Sequence, residues 1–307
     1  MEDRKNAWKA FSRVGIGYGA FLLVTIVIQL EVGVIAFAMA QFGMEIDFGN
    51  WYVVFVSLAN YVVGGMIAYL IVKDMPVICR PRGNKAGAGL LAAGFLICMS
   101  ALLFGNLIGQ ALMSLVSALL GRPMINPIEE VIKDLNTWAI FITMVVMAPV
   151  FEEILFRKVV IDRLRLYGDK AAILVSSVVF GLSHGNFYQF FYAFGIGLVF
   201  AYMYIQTGKL RYTIIFHMII NFFGSIGALH MADTPVLAVG YSIFVLGAAV
   251  AGIILLFINQ RKLVFFPGFM ETWGKGSFQT LFLNLGMILF FLLSAITFAA
   301  SFVRLQD

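Results

Sequence analysis

Long apolar runs, separated by short polar segments, recur from one end of the chain to the other. A run of about 18 or more apolar residues is long enough to cross the hydrocarbon core of a bilayer as a helix. The pattern therefore predicts an all-α, polytopic transmembrane helical bundle with eight or nine spans. The runs place these spans at residues 14–41, 51–73, 87–120, 137–161, 170–184, 187–207, 210–231, 236–260 and 278–303.

Two of the runs differ in length from an ordinary span. Residues 87–120 make about one and a half spans, which predicts a strongly tilted helix or one that is broken near Gly105 or Gly109. Residues 170–184 are a short run, and the count of eight or nine depends on whether this segment crosses fully.

Basic residues group at alternate ends of the predicted spans. They cluster in five segments, at residues 4–13, 73–85, 163–170, 209–211 and 261–275. The loop after the first span and the loops near Gly185 and Asp233 carry no Lys or Arg. By the positive-inside rule, this alternation places the N-terminus in the cytoplasm and, with nine spans, the C-terminus outside. We expect an integral, multi-pass protein of the cell membrane, anchored by an N-terminal segment that is not cleaved.

A short polar segment between the third and fourth spans predicts an interfacial helix. Asn126 is suited to cap a helix, and Pro127 fits the first helical position. Glu129 and Glu130 then fall in the first turn, where the helix dipole favours carboxylates. We interpret the segment as a surface helix on the outer side, with a lid as the alternative.

Composition narrows the class of protein further. The chain is 62% hydrophobic and 12% charged, whereas about 25% of the residues of a soluble domain are charged. Its net charge of +5 comes from basic residues at the ends of spans, so it indicates no nucleic-acid partner. Two cysteines, Cys79 and Cys98, provide no disulfide framework, and we expect Cys98 to be an ordinary core residue.

Four charged residues lie inside the predicted span 137–161, and three of them, Glu152, Glu153 and Arg157, form the cluster of interest ahead of Lys158. Placing one such group at the centre of a bilayer costs at least about 2.5–3.5 kcal/mol, which makes a functional role the first hypothesis. Glu153 and Arg157 are spaced i,i+4 in the favourable order for an ion pair, while Glu152 projects about 100° away. We predict that Glu153 and Arg157 hold each other and leave Glu152 available as a general base. The alternative is that both glutamates only pair with Arg157.

Two of the three histidines also fall in apolar runs. His184 follows Phe180 by four positions, and Asn221 follows His217 by four, so each pair shares a helix face. Taken alone, His184 would be an interfacial histidine and the His217–Asn221 pair a polar contact between helices. Together with a carboxylate, these groups are what water activation and oxyanion stabilisation require.

The order of these residues resembles the CPBP intramembrane protease family, which includes the Rce1-type CAAX prenyl endopeptidases and the bacteriocin-processing Abi proteins. The resemblance covers roughly residues 140–225 and depends on three motifs with intact spacing. They are EExxxR at Glu152, Glu153 and Arg157, FxxxH at Phe180 and His184, and HxxxN at His217 and Asn221.

The resemblance implies hydrolysis of a peptide bond at a site within a membrane cavity. It assigns the general base to Glu152, the holding of the water to His184, the oxyanion hole to His217 and Asn221, and a supporting role to Glu153 and Arg157. The implied substrate is a membrane-associated peptide or protein, such as a CAAX-like prenyl protein, a leader or a pheromone precursor. The corresponding organisation is an N-terminal helical part at 1–136, a catalytic core at 137–231 and C-terminal helices at 232–307.

Several alternatives remain open at this point. We favour metal-independent, glutamate-type chemistry, because the chain contains no H-E-x-x-H motif and an amide suits an oxyanion better than zinc. Zinc held by Glu152, His184 and His217 is the alternative. A proton-coupled transporter and a catalytically silent membrane scaffold are the competing functions, although no inverted repeat of the kind found in transporters is visible.

Overall fold

The computed structural model describes residues 2–43, 49–78, 87–231, 234–270 and 272–303. Cys79, Asp233 and the basic residues Arg80, Arg82 and Lys85 lie outside these ranges. The described residues form helices and connecting loops, without strands. We number the helices α1 (Glu2–Gln41), α2 (Gly49–Val72), α3 (Ala88–Leu120), α4 (Pro127–Lys133), α5 (Thr137–Tyr167), α6 (Asp169–Leu182), α7 (Phe187–Thr207), α8 (Leu210–Met231), α9 (Pro235–Asn259), α10 (Ser277–Phe282) and α11 (Leu285–Val303).

Eight of the described helices are long and apolar enough to cross a membrane, namely α1, α2, α3, α5, α7, α8, α9 and α11. This confirms the predicted polytopic helical bundle, and the protein is an integral, multi-pass membrane protein. The short predicted span corresponds to α6, which has 14 residues. At about 1.5 Å per residue, α6 is about 21 Å long, less than the thickness of a bilayer core.

Hydrogen bonds between loops show which helix ends lie together. The amide of Ile78, after α2, donates to the carbonyl of Asp162 near the end of α5. The amide of Asp169, at the start of α6, donates to the carbonyl of Phe266, which follows α9. We call this end of the bundle the basic face; it comprises the described residues in 2–13, 73–78, 162–170, 204–211 and 260–276.

The opposite end of the bundle is the α4 face, comprising the described residues in 42–50, 121–136, 183–189, 228–235 and 299–303. The hydroxyl of Tyr188, at the start of α7, donates to the carbonyl of Met124, 2.7 Å away. Arg122 donates to the carbonyl of Phe302 at the end of α11, 3.1 Å away. Helix α6 thus runs from the basic face toward the α4 face, and α7 returns. Nine of the described helices run between the two faces, namely the eight that are long enough to cross a membrane and the shorter α6.

Helix α3 is continuous over its 33 residues, so the predicted alternative of a helix broken near Gly105 or Gly109 is wrong. A Cβ atom on Gly105 would lie 2.4 Å from the Cα of Tyr192, and one on Gly109 would lie 2.7 Å from the carbonyl oxygen of Phe187. The two glycines therefore let the backbone of α7 pack directly against α3.

The short helix predicted between the third and fourth spans is present as α4. The side chain of Asn126 accepts a hydrogen bond from the amide of Ile128, and Pro127 occupies the first turn, as the sequence predicts. Glu130 accepts a hydrogen bond from the ammonium of Lys133 at 2.7 Å, and this bond raises the pKa of Lys133. The cap and the first-turn carboxylates explain why so short a segment is helical.

Helices α1 and α11 pack at a point where both backbones lack a side chain. A Cβ atom on Gly286 would lie 1.8 Å from the carbonyl oxygen of Ser12, and one on Gly15 would lie 2.3 Å from the carbonyl carbon of Gly286. The amide of Gly286 donates to the hydroxyl of Ser12 at 3.0 Å. This contact brings α11 against the first helix of the bundle.

Candidate active site

A cavity of about 490 Å³ lies between helices α2 to α8. Four of the six candidate residues line it, namely Glu152, His184, His217 and Asn221. The other two, Glu153 and Arg157, are fully buried outside its lining. The structure thus brings the six residues together. Four of them face the cavity, and Glu153 and Arg157 lie buried behind its lining.

The predicted pair of Glu153 and Arg157 forms within α5. Nη2 of Arg157 lies 3.2 Å from Oε1 of Glu153, and both side chains have no exposed surface. The residues from Glu153 to Val159 form a π-helical turn, a feature that is frequent at functional sites. Arg157 also places its guanidinium 4.3 Å from the centre of the Phe180 ring, a cation–π contact that compensates part of its burial.

The same carboxylate oxygen of Glu153 lies 3.1 Å from Nδ1 of His217. Because an ionised carboxylate only accepts hydrogen bonds, Nδ1 of His217 carries the hydrogen. The other ring nitrogen, Nε2, lies 3.7 Å from Oε2 of Glu152. Sequence reasoning missed the contact between Glu153 and His217; its only signal was that both are ionisable residues in apolar spans.

Glu152 faces the cavity and is held by a tyrosine that sequence reasoning also missed. The hydroxyl of Tyr61 donates to Oε1 of Glu152 at 2.6 Å. The Tyr61 ring stacks on Phe151, with centroids 5.3 Å apart and planes inclined by 5°. Tyr61 belongs to a π-helical turn of α2, Asn60–Gly64. A tyrosine in an apolar span is ordinary, so the adjacent polar Asn60 was the only hint in the sequence.

His184 lies just after the last turn of α6. Its Nδ1 donates to the carbonyl of Phe180 at 2.9 Å, which leaves Nε2 available to the cavity. The Phe180 ring stands perpendicular to both histidines, 4.9 Å from His184 and 5.9 Å from His217. Since Phe180 also contacts Arg157, the phenylalanine of the FxxxH motif orients three polar side chains at once.

Asn221 is tied to an irregular part of α5. Its amide nitrogen donates to the carbonyl of Met144 at 2.8 Å. Residues Phe141–Met147 form a π-helical turn, in which the amide of Ala148 donates to the carbonyl of Thr143. The next bond of that series would reach Met144 from residue 149, which is a proline without an N–H. Asn221 therefore satisfies a carbonyl that Pro149 leaves without a backbone donor.

The described residues contain no group of three or more His, Cys, Asp and Glu side chains that could hold a metal ion. Glu152, His184 and His217 line one cavity, but one oxygen of Glu152 is bound by Tyr61.

Comparison with known proteins points to one family. Residues 134–223 match the model of the type II CAAX prenyl endopeptidases described as Rce1-like, which confirms the resemblance inferred from the motifs. No solved structure matches the chain.

Two curated bacterial proteins are similar to the chain. The membrane-embedded CAAX protease MroQ of Staphylococcus aureus strain USA300 is 33% identical over 127 residues, which are 38% of this chain and 51% of MroQ. YdiL of Bacillus subtilis strain 168, which carries the name of a membrane peptidase, is 28% identical over 177 residues, 54% of this chain and 68% of YdiL. The chain thus spans about half the length of the first relative.

Proposed function

Because residues 134–223 match the model of the Rce1-like CAAX prenyl endopeptidases, we propose that this membrane protein is an intramembrane endopeptidase. It hydrolyses a peptide bond in a membrane-associated peptide or protein. The observation that carries the proposal is the division between two adjacent carboxylates. Glu152 faces the cavity beside Nε2 of His217, whereas Glu153 holds the opposite side of that ring.

The chemistry begins with a water between Glu152 and His217. With its hydrogen on Nδ1, a neutral His217 presents Nε2 as an acceptor, so it holds the water and does not donate to the oxyanion as the resemblance implies. Oε2 of Glu152 is an acceptor as well. At 3.7 Å the two atoms are too far apart for a direct hydrogen bond, but one water can donate to both. Glu152 takes a proton from this water while the water oxygen attacks the carbonyl carbon of the substrate.

The remaining groups complete the hydrolysis. The nitrogen of the Asn221 side chain has two hydrogens; one goes to the carbonyl of Met144 and the other is left for the developing oxyanion. The proton on Glu152 passes to the leaving amine nitrogen as the C–N bond breaks, giving one carboxylic acid and one amine. His184 lines the same cavity and presents Nε2 as a further hydrogen-bond acceptor for the substrate.

The proposed reaction uses no metal ion, and the Glu152 carboxylate, positioned by Tyr61, is the group that activates the water. Suitable substrates include a leader peptide, a pheromone precursor or a CAAX-like prenyl protein. Their shared feature is a cleavable peptide segment close to a membrane surface.

The test is comparative peptidomics of cells that carry the wild-type protein or Glu152→Gln, with and without a chelator. We expect a set of cleavage products that Glu152→Gln cells lack and that persists with chelator. Glu31→Gln is the matched control and should leave the products unchanged, because Glu31 is an exposed carboxylate of another long helix outside the cavity lining. Identical products from wild-type and Glu152→Gln cells, at equal protein levels, would overturn the proposed function. Loss of the products with chelator would overturn metal independence.

A further inference from the structure

The cavity extends toward only one end of the bundle. Besides the motif residues, its lining includes Asn126, Ile128 and Glu129 from the α4 segment. It also includes Tyr188 and Gln189 from the first turn of α7. All of these belong to the α4 face, so the cavity runs from the middle of the bundle up to α4.

Toward the basic face the site is closed by packed side chains. Arg157, Phe156, Phe180 and Phe200 are among the largest fully buried side chains of the described residues. Further along α5, Ile161 and Leu164 are also fully buried and continue the core toward the basic face. A peptide coming from that side would have to displace this core.

The two faces carry very different charges. The described part of the α4 face carries Arg122 and Lys133 against Glu129, Glu130 and Asp134. The described part of the basic face carries thirteen basic residues against five acidic ones, Glu2, Asp3, Asp74, Asp162 and Asp169. The basic residues are Arg4, Lys5, Lys9, Arg13, Lys73, Arg163, Arg165, Lys170, Lys209, Arg211, Arg261, Lys262 and Lys275. Loops rich in Lys and Arg stay in the cytoplasm, so the α4 face is directed outward.

From the cavity, its closed end and this charge difference, we infer that the enzyme takes its substrate from the extracytoplasmic side, beneath α4. The inference rests on the proposed function. The substrate class is then an exported peptide, or a membrane protein segment exposed at the outer surface. The charged residues of the described lining outside the histidines are Glu129 and Glu152, which suits a neutral or basic segment better than an acidic one.

Cysteine labelling in intact cells tests the direction of access. Ser57 lines the cavity one turn before Tyr61, so Ser57→Cys places a thiol inside it with little change in volume. The variant is made in a background in which Cys79 and Cys98 are replaced by Ala. Cells are treated with a membrane-impermeant maleimide before or after permeabilisation. Val53→Cys, one turn earlier in the lining, serves as a second probe.

Three controls define the possible outcomes. Asp134→Cys reports the α4 face and Lys262→Cys the basic face, because both native side chains are exposed. Leu58→Cys is adjacent to Ser57 but lies outside the cavity lining, on the outer surface of the helix bundle. It reports labelling that does not require the cavity.

We expect the Ser57→Cys protein to be labelled in intact cells together with the Asp134→Cys protein, and the Lys262→Cys protein only after permeabilisation. Labelling of the Ser57→Cys and Val53→Cys proteins only after permeabilisation, or not at all, would overturn the inference. Adding Glu152→Gln to Ser57→Cys should leave labelling unchanged. Since labelling needs no proteolysis, the access route and the proposed function fail or succeed separately.

Discussion

Glu152 and Glu153 are neighbours in the chain, but their carboxylates have different surroundings. Glu153 is fully buried between Arg157 and His217, while Glu152 lines the cavity and accepts a hydrogen bond from Tyr61. A buried ion pair does not necessarily stabilise a fold, but removal of one partner leaves the other as an uncompensated buried charge. The two residues should therefore differ in what their replacement does to stability.

Replacing Glu153 by Gln should destabilise the protein, because the buried guanidinium of Arg157 would lose its counter-charge. We expect a loss of about 3 kcal/mol in the free energy of unfolding. Thermal unfolding of the purified protein in detergent measures the change. Glu152→Gln serves as the matched control and should lower the stability much less. Equal unfolding temperatures for Glu153→Gln and the wild type would contradict the role of Glu153.

Tyr61→Phe should lower kcat and leave KM nearly unchanged. The substitution keeps the ring that stacks on Phe151 and removes only the hydroxyl that positions Glu152. A hydrogen bond to a charged group contributes about 1.5–3 kcal/mol, so we expect a decrease of about tenfold or more. The measurement is the rate of cleavage of a peptide identified by peptidomics. Tyr69→Phe, on the same helix, should have no such effect; a Tyr61→Phe enzyme with normal kcat would exclude the positioning role.

At the scale of single helices, α5 combines two π-helical turns with a proline between them. Because Pro149 has no N–H, the carbonyl of Met144 in the first π-helical turn accepts a hydrogen bond from the side chain of Asn221. This bond fixes α8 against α5. An irregular backbone at this depth of a membrane protein is tolerated when a neighbouring helix supplies the missing donor. The motif asparagine is therefore part of the structure of the site as well as part of its proposed chemistry.

A double-mutant cycle between Pro149 and Asn221 tests this structural role. Asn221→Ala should cost about 1–3 kcal/mol of stability, because it leaves the carbonyl of Met144 unsatisfied. In the Pro149→Ala background, residue 149 regains an N–H that can bind the same carbonyl, so Asn221→Ala should cost clearly less. Unfolding in detergent of the four proteins gives the coupling energy. Additive effects would show that Asn221 does not replace the donor missing at Pro149.

Much of the helical organisation follows from the sequence. Apolar run length predicts the long helices, and the pattern from Asn126 to Glu130 predicts the capped α4. The π-helical turns do not follow, because a periodic apolar pattern does not report which carbonyl each amide binds. For the same reason, spacing brings Glu153 to Arg157 but does not reveal His217 or Tyr61, which come from other helices.

At the scale of the whole molecule, the first helix packs against the last of the described helices. The contact between α1 and α11 depends on Gly15 and Gly286, where each backbone occupies the space that a side chain would need. Such contacts are a common way for helices to associate within a membrane, where burial of apolar surface provides little driving force.

Gly286→Ala should destabilise the bundle, because the new methyl group would overlap the backbone of Ser12. Overpacking usually costs about 1–3 kcal/mol, and here the two helices would have to separate. Gly33→Ala on α1 is the control, since a Cβ atom there meets nothing within 4 Å. The unfolding temperature in detergent should fall for Gly286→Ala and stay the same or rise for Gly33→Ala. Equal temperatures for Gly286→Ala and the wild type would contradict the close contact.

The contact between Ser12 and Gly286 also sets a delay during biosynthesis. The two residues are 274 positions apart, and a ribosome that adds about 5–20 residues per second needs roughly 14–55 s to make the chain between them. For that time α1 has been translated, but the surface around Gly15 has no α11 to bind. A nascent chain that stops before α11 would keep this surface open, so the first helix of the bundle acquires its partner only when the last described helix has been made.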